Sequence, residues 1–142
     1  MGRRLNYAGI GGAAAGVISL LGIYSYWWST DTTSYDGVAD ISGRLALAMS
    51  IGLFAFGVAY VLMSDPAIRR AMGALMTVCA VVLTLACVWG VFRSDNVAPG
   101  ASVELGLWVS AIGGVLGIVA SLLALRDAMA ADAGSSPEMN AA

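Results

Sequence analysis

The sequence predicts an all-α fold in which four transmembrane helices form an up-down-up-down bundle with both termini in the cytoplasm. The apolar residues AVILMFWYC make up 59% of the 142 residues, whereas charged residues make up only 11%. Four stretches with little or no charge are each long enough to cross about 30 Å of hydrocarbon. The segments that flank these stretches are alternately rich and poor in arginine along the chain. Alternation of this kind is typical of the connections in a multi-span membrane protein.

The composition also excludes other classes of protein. Soluble domains typically carry about 25% charged residues, more than twice the fraction present here. The net charge is −2, so the chain lacks the basic character of a nucleic-acid-binding protein. We therefore expect the chain to lie in the lipid bilayer of the cell membrane and to have no nucleic-acid partner.

The four expected spans belong to one domain, residues 1–132, which a disordered cytoplasmic tail follows at residues 133–142. In Ser64-Asp65-Pro66 a capping residue precedes a proline at the first helical position, which ends one helix and starts the next. Ser102 is the expected N-cap of the last helix. The expected spans are residues 8–28, 41–63, 66–92 and 102–126.

All seven cations of the chain are arginines, and their distribution predicts the orientation. If the helices alternate in direction, Arg44 and Arg93 lie on one side of the membrane. The positive-inside rule makes the other side cytoplasmic, because it holds the remaining five arginines. These are Arg3, Arg4, Arg69, Arg70 and Arg126.

Missing residue types exclude several kinds of chemistry. The chain has no histidine and no lysine, which excludes histidine-ligated metals, histidine-based triads and Schiff-base chemistry. Cys79 and Cys87 lie about 12 Å apart along one expected helix, too far for a disulfide within it. We expect no catalytic residue, no metal site and no cofactor, and we expect the protein not to be an enzyme.

Small residues recur at four-residue spacing on the expected helices, a pattern that lets helix backbones pack closely in a membrane. Two interpretations are open: packing within this chain's own bundle, or docking to another subunit or a second copy. The last helix has two adjacent faces of small residues, whereas packing against a single neighbouring helix requires only one such face. The second face favours a contact with another subunit or a second copy. The glycines that we expect to pack helices are Gly12, Gly16, Gly52, Gly113, Gly114 and Gly117.

All four tryptophans, Trp27, Trp28, Trp89 and Trp108, fall at one expected depth near the outer ends of the spans. Amphipathic rings favour the headgroup region of a bilayer, so an aromatic belt is the ordinary interpretation. The alternative is an aromatic pocket that binds a lipid or a quinone in the outer leaflet.

Arg44 is the only charged residue inside the four apolar stretches of the expected spans, which cover about residues 8–28, 41–63, 71–92 and 105–125. Asp40 precedes it by four residues on the same helix face, and Glu104 starts the last helix at the same side of the membrane. We expect these three residues to form an ion-pair cluster at the outer interface. The alternative is that Arg44 contacts an anion or a substrate in an outward-facing vestibule.

The layout resembles small four-span integral membrane proteins that are common in actinobacteria and haloarchaea. The matching features are Trp27-Trp28 at the end of the first span, Asp36-Gly37 in the outer loop, and a last span that opens Gly106-Leu107-Trp108. Continuation of that span through Gly113-Gly114 also matches, and the resemblance covers nearly the whole chain. It implies a helical bundle and no particular activity.

Two functional hypotheses follow. The first is a non-enzymatic accessory or structural subunit that packs through its glycine-rich faces against a larger membrane complex or against itself. The alternative is a small transporter, channel or lipid- or quinone-binding protein that acts as an oligomer. No acidic residue lies deep in any expected span, which argues against proton-coupled transport.

Overall fold

The computed structural model of the chain describes residues 6–134, and it is mostly helical, which confirms the all-α prediction. Arg3, Arg4 and all but the first two residues of the expected tail lie outside this range. The structure adds a small sheet of three short strands that the sequence did not predict. The helices are α1 (Tyr7–Ile23), α2 (Ile41–Leu62), α3 (Pro66–Phe92), the short α4 (Ser94–Val97) and α5 (Leu105–Gly134). The strands are β1 (Tyr26–Ser29), β2 (Ser34–Asp36) and β3 (Ser102–Val103).

Three of the described helices, α2, α3 and α5, are long and apolar enough to cross a membrane, and α1 is a shorter apolar helix of 17 residues. The break between α2 and α3 falls where the sequence predicts it. The Asp65 carboxylate accepts hydrogen bonds from the amides of Ala67 and Ile68, at 2.8 and 3.3 Å, and Pro66 occupies the first turn. This N-cap is therefore confirmed, and it fixes a tight connection between two helices.

The four long helices pack in a closed ring. Helix α1 lies against α2 and α5, and α3 lies against the same two helices, while the diagonal pairs make few contacts. Leu53, Met76 and Leu83 fill the space between the helices, and the side chain of each is completely buried. The interior is thus filled by side chains of this chain, mostly apolar ones together with buried serines such as Ser19 and Ser110.

Glycines allow the backbones of neighbouring helices to touch. A Cβ atom on Gly16 of α1 would lie only 2.8 Å from the Ser50 carbonyl oxygen of α2. A Cβ atom on Gly113 of α5 would lie 2.9 Å from the Ala15 carbonyl oxygen and from the Ser19 amide nitrogen of α1. No side chain fits in either place without moving a backbone, so α1 is held between two helices by close contact.

The expectation of a first span over 8–28 is wrong at its C-terminal end. Helix α1 stops at Ile23, and the Tyr24 amide closes it by donating to the Leu20 carbonyl. The aromatic run that follows forms β1 instead, since large aromatic side chains suit a strand that packs on one face. The helix is therefore about five residues shorter than the apolar stretch.

The expectation that Ser102 caps the last helix is also wrong. Ser102 lies in β3 and pairs with Ser29 of β1, and α5 begins at Leu105. The Glu104 amide donates to the Trp27 carbonyl at 2.8 Å, which joins the start of α5 to β1. The three strands form an antiparallel sheet in the order β2-β1-β3. We call the end of the helices that carries this sheet the sheet end, and the end at residues 63–65 the turn end.

Replacement of Gly113 tests the close contact between α1 and α5. We expect Gly113→Leu to lower the free energy of unfolding by about 3 kcal/mol, because an inserted side chain would push two backbones apart. Thermal unfolding in detergent measures the effect, and Ala74→Leu at an exposed position of α3 serves as the control. Equal melting temperatures for the two variants would contradict the packing described here.

Candidate functional site at the sheet end

Two tryptophans of β1 close the sheet end of the helix ring. Trp27 and Trp28 are completely buried, and their rings meet edge to face with centroids 5.3 Å apart. The Trp27 indole nitrogen donates to the Gly22 carbonyl of α1, and the Trp28 indole nitrogen donates to the Gly90 carbonyl of α3, both at 3.1 Å. These bonds satisfy the only polar atom of each side chain and tie β1 to two helices.

The prediction of a four-tryptophan belt is therefore wrong for Trp27 and Trp28. A shift in the β1–β2 register between Tyr26 and Trp28 departs from the strict alternation of a strand, and two successive rings are buried there. Trp89 and Trp108 are about half exposed, at 48% and 53%, and they remain available to a belt or to a lipid.

Asp40 and Arg93 form a bidentate ion pair beside the sheet. Arg93 donates from Nε to Asp40 Oδ2 at 2.8 Å and from Nη2 to Oδ1 at 3.0 Å. The same carboxylate caps α2 by accepting from the amide and the hydroxyl of Ser42, at 3.2 and 2.9 Å. Burial alone would raise the pKa of Asp40, but Arg93 and these two donors hold the pKa at about 2. The pair links the start of α2 to the end of α3.

The expected cluster of Arg44, Asp40 and Glu104 does not form. Arg44 is exposed, and its Nε donates to the Val38 carbonyl at 3.1 Å rather than to Asp40. The spacing of four residues would favour the pair within a helix, but Asp40 is an extended N-cap residue whose carboxylate turns toward the first turn of α2. Arg93 reaches it from another helix, and the sequence offers no local signal for that partner.

Glu104 lies beside β1 and β3. Its Oε1 accepts hydrogen bonds from the Ser29 hydroxyl and, at 3.5 Å, from the Ser102 hydroxyl. Glu104 also lines a small cavity of about 180 Å³ between the end of α1 and the start of α5. Its walls are formed by Ser25, Tyr26, Glu104, Leu105, Gly106 and Val109.

The glycines expected to pack helices all face other helices of this chain. A Cβ atom on Gly114 would lie 2.5 Å from Thr84 Oγ1 of α3, and one on Gly117 would lie 2.6 Å from Leu53 of α2. Gly12 faces Met76. Gly52 faces Cys79, and a Cβ atom on Gly52 would lie 2.9 Å from the Cys79 sulfur. Gly16 and Gly113 face α2 and α1 as described above. Both small faces of α5 are thus covered inside the chain, so they give no reason to expect an external contact.

An apolar groove of about 360 Å³ lies on the outer surface between α1 and α2, in the half nearer the turn end. Two alanines, Ala13 and Ala14, line it together with bulkier side chains. The remaining lining residues are Ile10 and Val17 of α1 and Phe54, Val58, Val61 and Leu62 of α2.

The turn end is closed by a tyrosine and an arginine that the sequence did not single out together. The buried Tyr60 hydroxyl donates to the Ala124 carbonyl of α5 at 2.8 Å. The Arg69 guanidinium lies over the Tyr60 ring, with its carbon 4.6 Å from the ring centroid. This contact joins the ends of α2, α3 and α5.

Among residues 6–130, whose side chains the structure describes, no group of three or more acidic, histidine or cysteine side chains could hold a metal ion. Cys79 and Cys87 are both buried free thiols of α3.

The chain has no detectable similarity to any family model, curated protein or solved structure. The resemblance to small four-span membrane proteins therefore stays a prediction. The candidate sites rest on the geometry of this chain alone. They are the Asp40–Arg93 ion pair, the cavity that Glu104 lines and the apolar groove between α1 and α2.

Replacement of Asp40 tests the ion pair and its dependence on pH. Because the folded pKa is depressed from 3.8 to about 2, the stabilisation is present above about pH 4 and is lost as the pH falls through 2. We expect Asp40→Asn to lower the free energy of unfolding by about 1–3 kcal/mol at pH 7. Melting temperatures in detergent should show this difference shrinking between pH 4 and pH 2.

The control for this experiment is Asp31→Asn, since Asp31 is exposed and lies on the same side of the molecule. It should leave the melting temperature unchanged across the range. A difference between Asp40→Asn and the parent chain that stayed constant down to pH 2 would contradict the pairing.

Proposed function

We propose that the chain is a four-span, up-down-up-down protein of the cell membrane that acts as a non-enzymatic accessory or structural subunit of a larger membrane complex. The observation that carries the proposal is the filled interior. Side chains of this chain occupy the space between the helices, and both ends of the ring are closed by hydrogen-bonded aromatic residues. A bundle with a filled interior suits a structural subunit better than a channel or transporter, because a path for an ion or a polar solute needs a polar lining.

Helix lengths support four spans. Helix α2 has 22 residues and α3 has 27, about 33 and 40 Å, which suffices for about 30 Å of hydrocarbon. Helix α1 has 17 residues and is only about 26 Å long. The chain continues from it into β1, whose two buried tryptophan rings extend the apolar segment at that end. Each of these helices exposes large apolar side chains on its outer surface, among them Leu21, Ile51 and Leu85.

Charge supports an orientation with the sheet end outside and both termini in the cytoplasm. Arg69, Arg70 and Arg126 belong to the segments near the turn end, whereas Arg44 and Arg93 lie at the sheet end. Arg93 is moreover paired with Asp40. The positive-inside rule then assigns the turn end to the cytoplasm.

The surface proposed for the partner differs from the one that the sequence suggested, because the glycine faces are used within the chain. We place the partner in the apolar groove between α1 and α2. Ala13 and Ala14 are small enough to let the backbone of a transmembrane helix approach, and the walls contain no polar side chain. No cofactor is part of this proposal.

The same groove supports a second candidate function, a small lipid- or quinone-binding protein, transporter or channel that acts as an oligomer. Its apolar walls also suit an acyl or isoprenoid chain that enters from the bilayer. The two candidates differ in what fills the groove: a protein helix in the first and a lipid-like molecule in the second.

Purification from native membranes in mild detergent, followed by mass spectrometry, separates the two. We expect the chain to co-purify in fixed stoichiometry with a larger membrane protein. Ala14→Trp should abolish that association because the indole would fill the groove, while Ala74→Trp, at an exposed alanine of α3, should not.

Two results would contradict the subunit proposal. One is a chain that purifies alone as an oligomer and is stabilised by a lipid or a solute whose binding Ala14→Trp abolishes. The other is a complex that both tryptophan variants retain equally well, which would place the partner elsewhere than in the groove.

A further inference from the structure

The carboxylate of Glu104 is not neutralised by any cation in the described part of the chain. At the sheet end, Arg93 is taken by Asp40, and Arg44 donates to a backbone carbonyl. Glu104 uses only Oε1 for hydrogen bonds, with Ser29 and Ser102 as donors. Its second oxygen has no hydrogen-bond partner among residues 6–130, whose side chains the structure describes, and Glu104 lines the 180 Å³ cavity.

The remaining lining residues of the cavity are one aromatic residue and several apolar or small ones. Tyr26 is the aromatic residue, and Leu105 and Val109 are the apolar ones. Ser25 also lines the cavity, and its hydroxyl donates to the Leu21 carbonyl at 2.8 Å. The lining therefore includes one acidic residue and one tyrosine in a largely apolar wall.

We propose that this cavity binds an alkylammonium group, supplied either by the headgroup of an outer-leaflet lipid or by a soluble amine. A carboxylate and an aromatic ring are the groups that recognise an ammonium ion. A metal ion fits less well, because calcium requires six to eight oxygen ligands and the cavity offers a single carboxylate. An anion is disfavoured by that same carboxylate.

The position of the cavity suits a lipid headgroup. Tyr24 and Leu105 are exposed by 67% and 74%, and the half-exposed Trp108 follows one turn into α5. These side chains mark an interface between apolar helix surface and polar sheet, at which lipid headgroups lie. Only the assignment to the outer leaflet rests on the proposed orientation.

Titration of the purified full chain in detergent tests the proposal. The probes are phosphatidylethanolamine, phosphatidylglycerol of the same acyl chains, and ethanolamine, with bound lipid read by native mass spectrometry and stabilisation read by thermal unfolding. We expect phosphatidylethanolamine to bind and to raise the melting temperature more than phosphatidylglycerol does. Glu104→Gln should weaken this binding about tenfold or more, as the loss of a charge-assisted contact does.

Two further variants sharpen the test. Val109→Phe leaves the carboxylate and its serine partners in place but fills the cavity, so it should also abolish binding. Asp95→Asn removes an exposed carboxylate at the same end that does not line the cavity, and it should bind like the parent chain.

Each outcome has a defined meaning. Binding of phosphatidylethanolamine alone supports a lipid headgroup as the source, and binding of ethanolamine supports a soluble amine. Equal binding of both lipids without any response to ethanolamine, or binding that survives both Glu104→Gln and Val109→Phe, overturns the proposal. None of these results bears on co-purification with a larger subunit, so failure here leaves the proposed function standing.

Discussion

Close backbone contact between α1 and its two neighbours is the constraint on which the rest of the structure depends. In a bilayer, apolar side chains gain nothing by leaving lipid for protein, so helices associate where their surfaces fit most closely. Gly16 of α1 provides that fit toward α2, and Gly113 of α5 provides it toward α1. A Cβ atom on either glycine would lie less than 3 Å from a backbone atom of the other helix. Leu53 and Met76 then complete the core between the helices.

The same contact shapes the sheet end. A Cβ atom on Gly106 would lie 2.5 Å from the Tyr26 carbonyl oxygen, so the start of α5 lies directly against the start of β1. This proximity lets the Glu104 amide donate to the Trp27 carbonyl, and it brings Glu104 and Tyr26 to the wall of one cavity. The buried Trp28 extends the connection to α3 through Gly90. The closed end and the candidate ammonium cavity are therefore consequences of how tightly α1 and α5 pack.

The sequence predicted the features that depend on local patterns and missed those that depend on distant partners. The bounds of α2 and α3 follow from apolar runs and from the Asp65 cap, and they were predicted to within a residue. The end of α1 was missed because Trp27 and Trp28 continue its apolar run although they form a strand. The sequence showed that α5 has two faces of small residues, but only the fold shows that other helices of this chain pack against both faces. The Asp40–Arg93 pair joins residues 53 positions apart, which helical spacing could not reveal.

Labelling of introduced cysteines with a membrane-impermeant maleimide tests the central claim, a four-span protein with its sheet end outside. Thr32→Cys lies in the exposed β1–β2 turn, Ser64→Cys lies in the exposed turn between α2 and α3, and the native cysteines are buried. In intact cells the account predicts labelling of the Thr32→Cys variant alone, with the Ser64→Cys variant labelled only after permeabilisation. Labelling of both variants, or of the Ser64→Cys variant alone, in intact cells would contradict it.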